Sequence, residues 1–266
     1  MNPFFFGTSE RQLFGVYHPP KARKTRDTGV VLCCPLGQEY MRSHRAFRQL
    51  ALLLERGGFH VLRFDYAGTG DSWGEGEGTS LAEWSANAAS AVNELRDTAE
   101  VKRVALVGLR LGATVAALAA RERDDVSDVV LWDPVVRGSD YAAELLRDAE
   151  LPSDAPPGTK QRLATYDGTV NVMGYPLTAA LRREIGAVDL LTAPLSTRAR
   201  HHVVVSSERP EYGALVERGG REGLRLRYHH IPSEGDWNFV DNFGSVLIPQ
   251  LVIQGIVRLL GEEGRA

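Results

Sequence analysis

Cysteine is nearly absent: the 266 residues contain two, Cys33 and Cys34, side by side. Neighbouring cysteines give no disulfide framework, so a reducing, cytoplasmic setting is expected. Lysine is also rare, with only Lys21, Lys24, Lys102 and Lys160 among 31 basic residues. Positive charge is therefore carried by arginine, whose planar fork suits carboxylates and phosphates. Charge of one sign is not in excess: the net charge is -3 and the pI about 6.2, which gives no basic footprint for nucleic acid. No apolar run approaches the roughly 18–20 residues of a membrane-spanning helix. The start, Met1 to Gly7, has one short apolar block and no basic flank, so it does not read as a signal peptide. With 43% hydrophobic and 24% charged residues, composition excludes both disorder and a collagen-like fibre.

Strand-like and helix-like segments alternate. Residues 11–17 read as an early strand, followed by a polar, basic turn from His18 to Asp27. Residues 29–34 are a continuous apolar run, the pattern of a strand covered on both faces. Phe47, Leu50, Ala51 and Leu54 are helix-spaced within 43–56, which Gly57-Gly58 ends. A strand follows at 59–65, then a long helix from Ser80 to Glu100 with Ser80 and Glu83 spaced as a capping box. Further strands are expected at 104–107, 129–136, 201–206 and 224–229, and helices at 113–121, near 177–186 and at 248–260. This alternation predicts an α/β fold with a doubly wound, mostly parallel sheet.

Three segments carry more than the pattern. Phe64-Asp65-Tyr66-Ala67-Gly68-Thr69-Gly70-Asp71-Ser72 resembles the strand-and-turn block of α/β-hydrolases of the serine-aminopeptidase branch. Gly108-Leu109-Arg110-Leu111-Gly112 falls where that fold places its G-x-S-x-G nucleophile elbow. Cys34-Pro35-Leu36-Gly37-Gln38-Glu39 falls where it places its oxyanion loop. With Arg42-Ser43-His44-Arg45, these stretches look like the exosortase-associated hydrolases of that branch. The resemblance spans nearly the whole chain and implies an α/β-hydrolase domain over 1–266, with 137–196 as an inserted cap. Tyr141, Leu145, Tyr166, Val172, Met173, Tyr175 and Leu177 are then its candidate pocket lining.

The departures from that pattern bear on activity. The elbow position is Arg110, and a guanidinium is neither an acyl nucleophile nor deprotonated in proteins. The loop Pro232–Phe239, where the family offers a histidine, has none. Glu208 stands in the acid loop, but an acid without a histidine to orient has no triad role. Arg110 reads either as an anion anchor on the pocket floor or as an internal salt bridge, with Asp133 or Glu39, that fills a dead site. Asp133, at the end of a strand, reads as a partner of Arg110 or as a base. Glu39 and His44 are the other base candidates. Leu36, Gly37 and the Leu111 N–H form the expected oxyanion site, with Tyr40 and Trp237 as binding residues. Cys33 and Cys34 read as packing residues, or one as a nucleophile. The histidine pairs lack a third converging ligand, so neither a metal nor a cofactor is expected.

Three functional readings follow. The first is a cofactor-independent, non-hydrolytic enzyme of epimerase, isomerase or cyclase type, acting on a carboxylate-bearing peptide or acyl substrate in specialised metabolism. It is similar in kind to the triad-less epimerases of bottromycin-type peptide pathways. The second is a hydrolase or thioesterase with an unusual nucleophile, Cys34 or an activated water. The third is a binding protein that holds a small molecule or modified peptide without turning it over. Neither a nucleic-acid partner nor a membrane span is expected.

Overall fold

The computed structural model describes residues 1–149, 168–233, 237 and 248–263. In chain order the elements are β1 (Asn2–Thr8), β2 (Arg11–His18), β3 (Thr28–Cys33), α1 (Gly37–Arg56), β4 (His60–Phe64), α2 (Leu81–Ala99), β5 (Arg103–Leu109) and α3 (Leu111–Ala120). They continue with β6 (Val126–Trp132), α4 (Gly138–Ala149), β7 (Val170–Val172), β8 (Tyr175–Leu177), α5 (Ala179–Ala187), β9 (Arg200–Val205), α6 (Pro210–Arg221), β10 (Leu226–His230) and α7 (Gln250–Glu263).

One sheet organises the chain, in the order β1-β2-β4-β3-β5-β6-β9-β10. The strands from β4 to β10 run parallel, while β2 is antiparallel to both β1 and β4. The expected doubly wound sheet is therefore present. Val30, Val31, Leu32 and Cys33 of β3 are fully buried because helices cover both faces. Leu50, Leu54, Val252 and Ile256 of α1 and α7 close one side, and Val92, Leu95, Val115 and Ala116 of α2 and α3 close the other. Ser80 caps α2, its side chain accepting from the Glu83 N–H at 3.0 Å.

Several elements differ from expectation. Phe4-Phe5-Phe6 belongs to edge strand β1, an element that three aromatics alone do not mark as a strand. Helix α1 begins at Gly37, so Glu39 and Tyr40 lie on its first turn rather than in a loop. Strand β6 ends at Trp132, before the positive φ of 41° at Asp133. Helix α6 starts on Pro210, whose fixed φ suits the first helical turn. Between β6 and β9 the chain leaves the sheet to form α4, the β7–β8 hairpin and α5. Tyr166 lies outside the described residues, as does most of Pro232–Phe239, of which Pro232, Ser233 and Trp237 are described.

The order of strands reverses at β3, which is followed in the chain by its neighbour β4 on one side and then by β5 on the other. The crevice at the carboxyl ends of β3 and β5 is where ligands bind in open α/β sheets. The segment Cys34–Gly37 and Arg110 flank it.

Candidate active site

Arg110 sits between β5 and α3 with φ 53° and ψ -122°, a conformation that costs a non-glycine residue about 1–3 kcal/mol. The turn is held by the Arg110 N–H on the Trp132 carbonyl (3.0 Å) and by the Ala113 and Val135 N–H groups on the Arg110 carbonyl (3.0 and 3.3 Å). Two glycines make room for it. A Cβ on Gly108 would overlap the Gly112 carbonyl, and one on Gly112 would overlap the carbonyl oxygens of Cys33 and Cys34. The start of α3 thus lies directly against the end of β3, in the geometry of a nucleophile elbow that carries arginine.

The guanidinium is occupied. Arg110 Nε donates to Glu39 Oε1 at 2.8 Å, and Nη2 donates to Glu144 Oε1 and Oε2 at 3.2 and 3.1 Å. Tyr141 Oη donates to Glu39 Oε2 at 2.8 Å, and its ring centroid lies 5.3 Å from the Arg110 guanidinium carbon. Glu39 is 1% exposed and Arg110 4% exposed. Burial works against the arginine's charge, but Glu39 and Glu144 reverse that and hold its pKa well above the usual range. Burial raises the Glu39 pKa despite the arginine beside it.

Asp133 is not a partner of Arg110. It accepts from the Ser206 N–H (2.7 Å), Ser206 Oγ (2.8 Å) and Trp237 Nε1 (3.3 Å). The positive φ that ends β6 turns it toward the end of β9, not toward the elbow. Trp237 is correspondingly a core residue, edge-on to Trp132 at 5.4 Å, rather than a pocket wall. His44 is exposed on α1, its ring 6.4 Å from that of Tyr40, and lines no described cavity. Its pKa is lowered by partial burial and then by Arg63.

Glu208 does have a histidine beside it. His230 Nδ1 lies 3.6 Å from Glu208 Oε1, at the carboxyl ends of β10 and β9. Both side chains face solvent, and neither bonds to the elbow. The sequence holds this pair in plain view, but the histidine is the last residue of the strand instead of lying in the loop beyond it. None of the seven histidines hydrogen-bonds Arg110: the described partners are Glu55 and Arg63 for His18, Tyr17 for His60, Ser196 for His201 and Asp128 for His202. Among the described residues, no group of three or more His, Cys, Asp or Glu is placed to hold a metal.

Beside the elbow a cavity of about 240 Å³ opens, lined in part by Cys34, Leu36, Gly37, Tyr40, Asp65 and Tyr175. Leu36 precedes α1 in an extended conformation, and Gly37 takes φ +58°, which lets the chain turn sharply into the helix. Tyr40 Oη donates to Asp65 Oδ1 at 2.7 Å. Cys33 is sealed in the core, where burial pushes its thiol up to about 12, and burial with the nearby Asp65 raises Cys34 as well. A thiolate nucleophile is disfavoured at both. Leu145, Val172, Met173, Tyr175 and Leu177 of the expected lining border a smaller recess together with Glu39, whereas Tyr141 is committed to Glu39.

The sequence profile of the Hydrolase_4 family (serine aminopeptidase, S33) matches residues 26–162, just over half of the chain. The chain belongs to this family. Its fold is the α/β-hydrolase fold. Est1E from Butyrivibrio proteoclasticus, solved with ferulic acid bound, is similar with a TM-score of 0.68 at 19% identity, over 97% of this chain and 98% of that one. An esterase of Pyrococcus furiosus gives 0.65 at 17%, over 98% and 88%. Proline iminopeptidase of Mycobacterium smegmatis gives 0.63 at 12%, over 99% of both chains. No curated protein matches in sequence. No helix among the described residues is long and apolar enough to cross a membrane. In this S33-family chain the tight turn between β5 and α3 carries an arginine clamped between two carboxylates.

Proposed function

We propose that this member of the S33 family holds a small acyl or peptide-like ligand in the 240 Å³ cavity, which Tyr175, Pro176 and Leu181 of β8 and α5 help to wall, and forms no acyl-enzyme at the elbow. The observation that carries this reading is the closed Glu39–Arg110–Glu144 cluster: the nucleophile position is filled by a charged group already neutralised from within. Two carboxylates and one guanidinium also make the elbow a poor host for a ligand carboxylate. Amides should therefore bind at least as well as the matching acids, which is the reverse of what an open arginine anchor would give. Fluorophosphonate probes should leave the protein unlabelled, and p-nitrophenyl esters should not turn over above background. Labelling at a serine, abolished by mutating that serine, would overturn the reading.

A second reading rests on Glu39. Of the three base candidates, Asp133 is held by Ser206 and Trp237 and His44 is exposed, which leaves one buried carboxyl with a raised pKa next to Leu36 and Gly37. A raised carboxyl pKa suits general base work near neutrality. In an isomerase or epimerase, Glu39 would take a proton from the carbon beside a carbonyl. The Leu111 N–H and the Leu36–Gly37 backbone would hold the enolate oxygen, the proton on Glu39 would exchange with solvent, and a solvent-derived proton would then be delivered to the same carbon. Such an enzyme would load one deuterium per substrate molecule in D₂O, read as a mass gain of about one on a modified peptide. Binding without exchange selects the first reading, and two cleavage products would point to hydrolysis.

A further inference from the structure

Among the described residues that line the 240 Å³ cavity, Asp65 alone carries a charge, and no lysine, arginine or histidine borders it. Strand β4 ends at Phe64, and the turn that follows folds back on the Asp65 carboxylate. Tyr40 Oη donates to Oδ1 at 2.7 Å and the Asp71 N–H donates to Oδ2 at 3.2 Å. Gly70, with φ +53°, brings its backbone so close that a Cβ there would overlap Oδ2. These contacts fix the carboxylate without saturating it. An ionised carboxylate can accept about four hydrogen bonds, and here the side chain accepts these two.

No cation of the fold pairs with Asp65 among the described residues. Arg63, two residues earlier on the same face of β4, is the nearby one. Its Nε donates to His18 Nε2 at 3.2 Å and its Nη2 lies 4.0 Å from the Met1 sulfur, with no ion pair to Asp65. The rest of the cavity wall is largely aromatic. Tyr66 and Trp84 stack with ring centroids 5.3 Å apart, and Tyr40 and Tyr175 add two more rings. The field of the carboxylate reaches this wall: burial raises the Cys34 thiol and the Tyr40 phenol, and Asp65 raises both further.

We infer that the ligand of this cavity is an organic ammonium ion, a protonated amine on an apolar body, with its nitrogen against Asp65 and its body among the rings. A carboxylate that is held in place with acceptor capacity to spare repels an anion and offers a neutral group only an ordinary hydrogen bond. An ammonium gains charge-assisted bonds to the carboxylate and attraction to the negative ring faces. The inference rests on the reading of this cavity as the ligand site, and adds the charge of what is held there.

Isothermal titration of the intact protein with 2-phenylethylamine, protonated near neutral pH, and with 2-phenylethanol, its neutral counterpart, separates the charge from the body. At low salt the amine should bind at least about tenfold more tightly, and the margin should shrink as ionic strength rises. In Asp65→Asn the margin should fall below about twofold while the affinity for the alcohol is kept. Tyr175→Leu, in the short β7–β8 hairpin, keeps the carboxylate and should cut the margin by about two- to fivefold through the lost ring face. It carries the test should Asp65→Asn disturb folding. Equal affinity for the two compounds, or a margin unchanged in every folded variant, overturns the inference and leaves the cavity reading standing. No saturable binding of either compound overturns both.

Discussion

Arg110→Met is expected to destabilise the fold by about 3–5 kcal/mol, the cost of removing one partner from a buried ion pair. The substitution fits the volume but leaves Glu39, 1% exposed, and Glu144 facing each other without their shared cation. In a chain of this size that loss lowers the melting temperature by about 6–20 °C. Urea unfolding of four proteins closes a double-mutant cycle: wild type, Arg110→Met, Glu39→Gln and the double variant. The double variant should recover much of the loss, because glutamine still accepts from Tyr141 without a stranded charge. A loss below about 1 kcal/mol for Arg110→Met would mean that the cluster opens to water and that Arg110 is available to a ligand after all. Arg110→Ser should fare no better in stability and should not give a competent hydrolase, because none of the seven histidines bonds to the elbow.

Gly112→Ala is the second large expected effect. Its Cβ would overlap the carbonyl oxygens of Cys33 and Cys34, which are backbone atoms at the end of β3 and cannot swing aside as a side chain does. Overpacking of this kind typically costs about 1–3 kcal/mol, and contact with backbone on both sides puts this case at or above that range. Gly186→Ala is the control. It lies in α5 with nothing within 4 Å of the added carbon, so alanine should stabilise by about 0.5–1 kcal/mol. Chemical denaturation midpoints of the two variants should therefore move in opposite directions. Equal midpoints would show that α3 does not press on the oxyanion segment.

The framework was legible in the sequence because its signals are local. The run 29–34 is apolar at every position because β3 is covered on both faces. Ser80 and Glu83 mark a helix start by contacts three residues apart, and the two glycines of 108–112 mark a turn too tight for a side chain. Elements whose reason is tertiary stayed hidden. Edge strand β1 is held by its pairing with β2, and α4 and the β7–β8 hairpin lie in a stretch without clear periodicity.

At the elbow the same division holds. The sequence determined that an arginine stands between the two glycines of 108–112, that Pro232–Phe239 holds no histidine, and that the alternating elements wind into a mostly parallel sheet. Only the tertiary structure decided what Arg110 does. Its partners Glu39 and Glu144 stand 71 and 34 residues away, and Asp133, closer in sequence, turns to Ser206 instead. Periodicity reports which face of an element is buried. It cannot report which distant charge meets an arginine, because that depends on where α1 and α4 come to rest over the carboxyl ends of the strands.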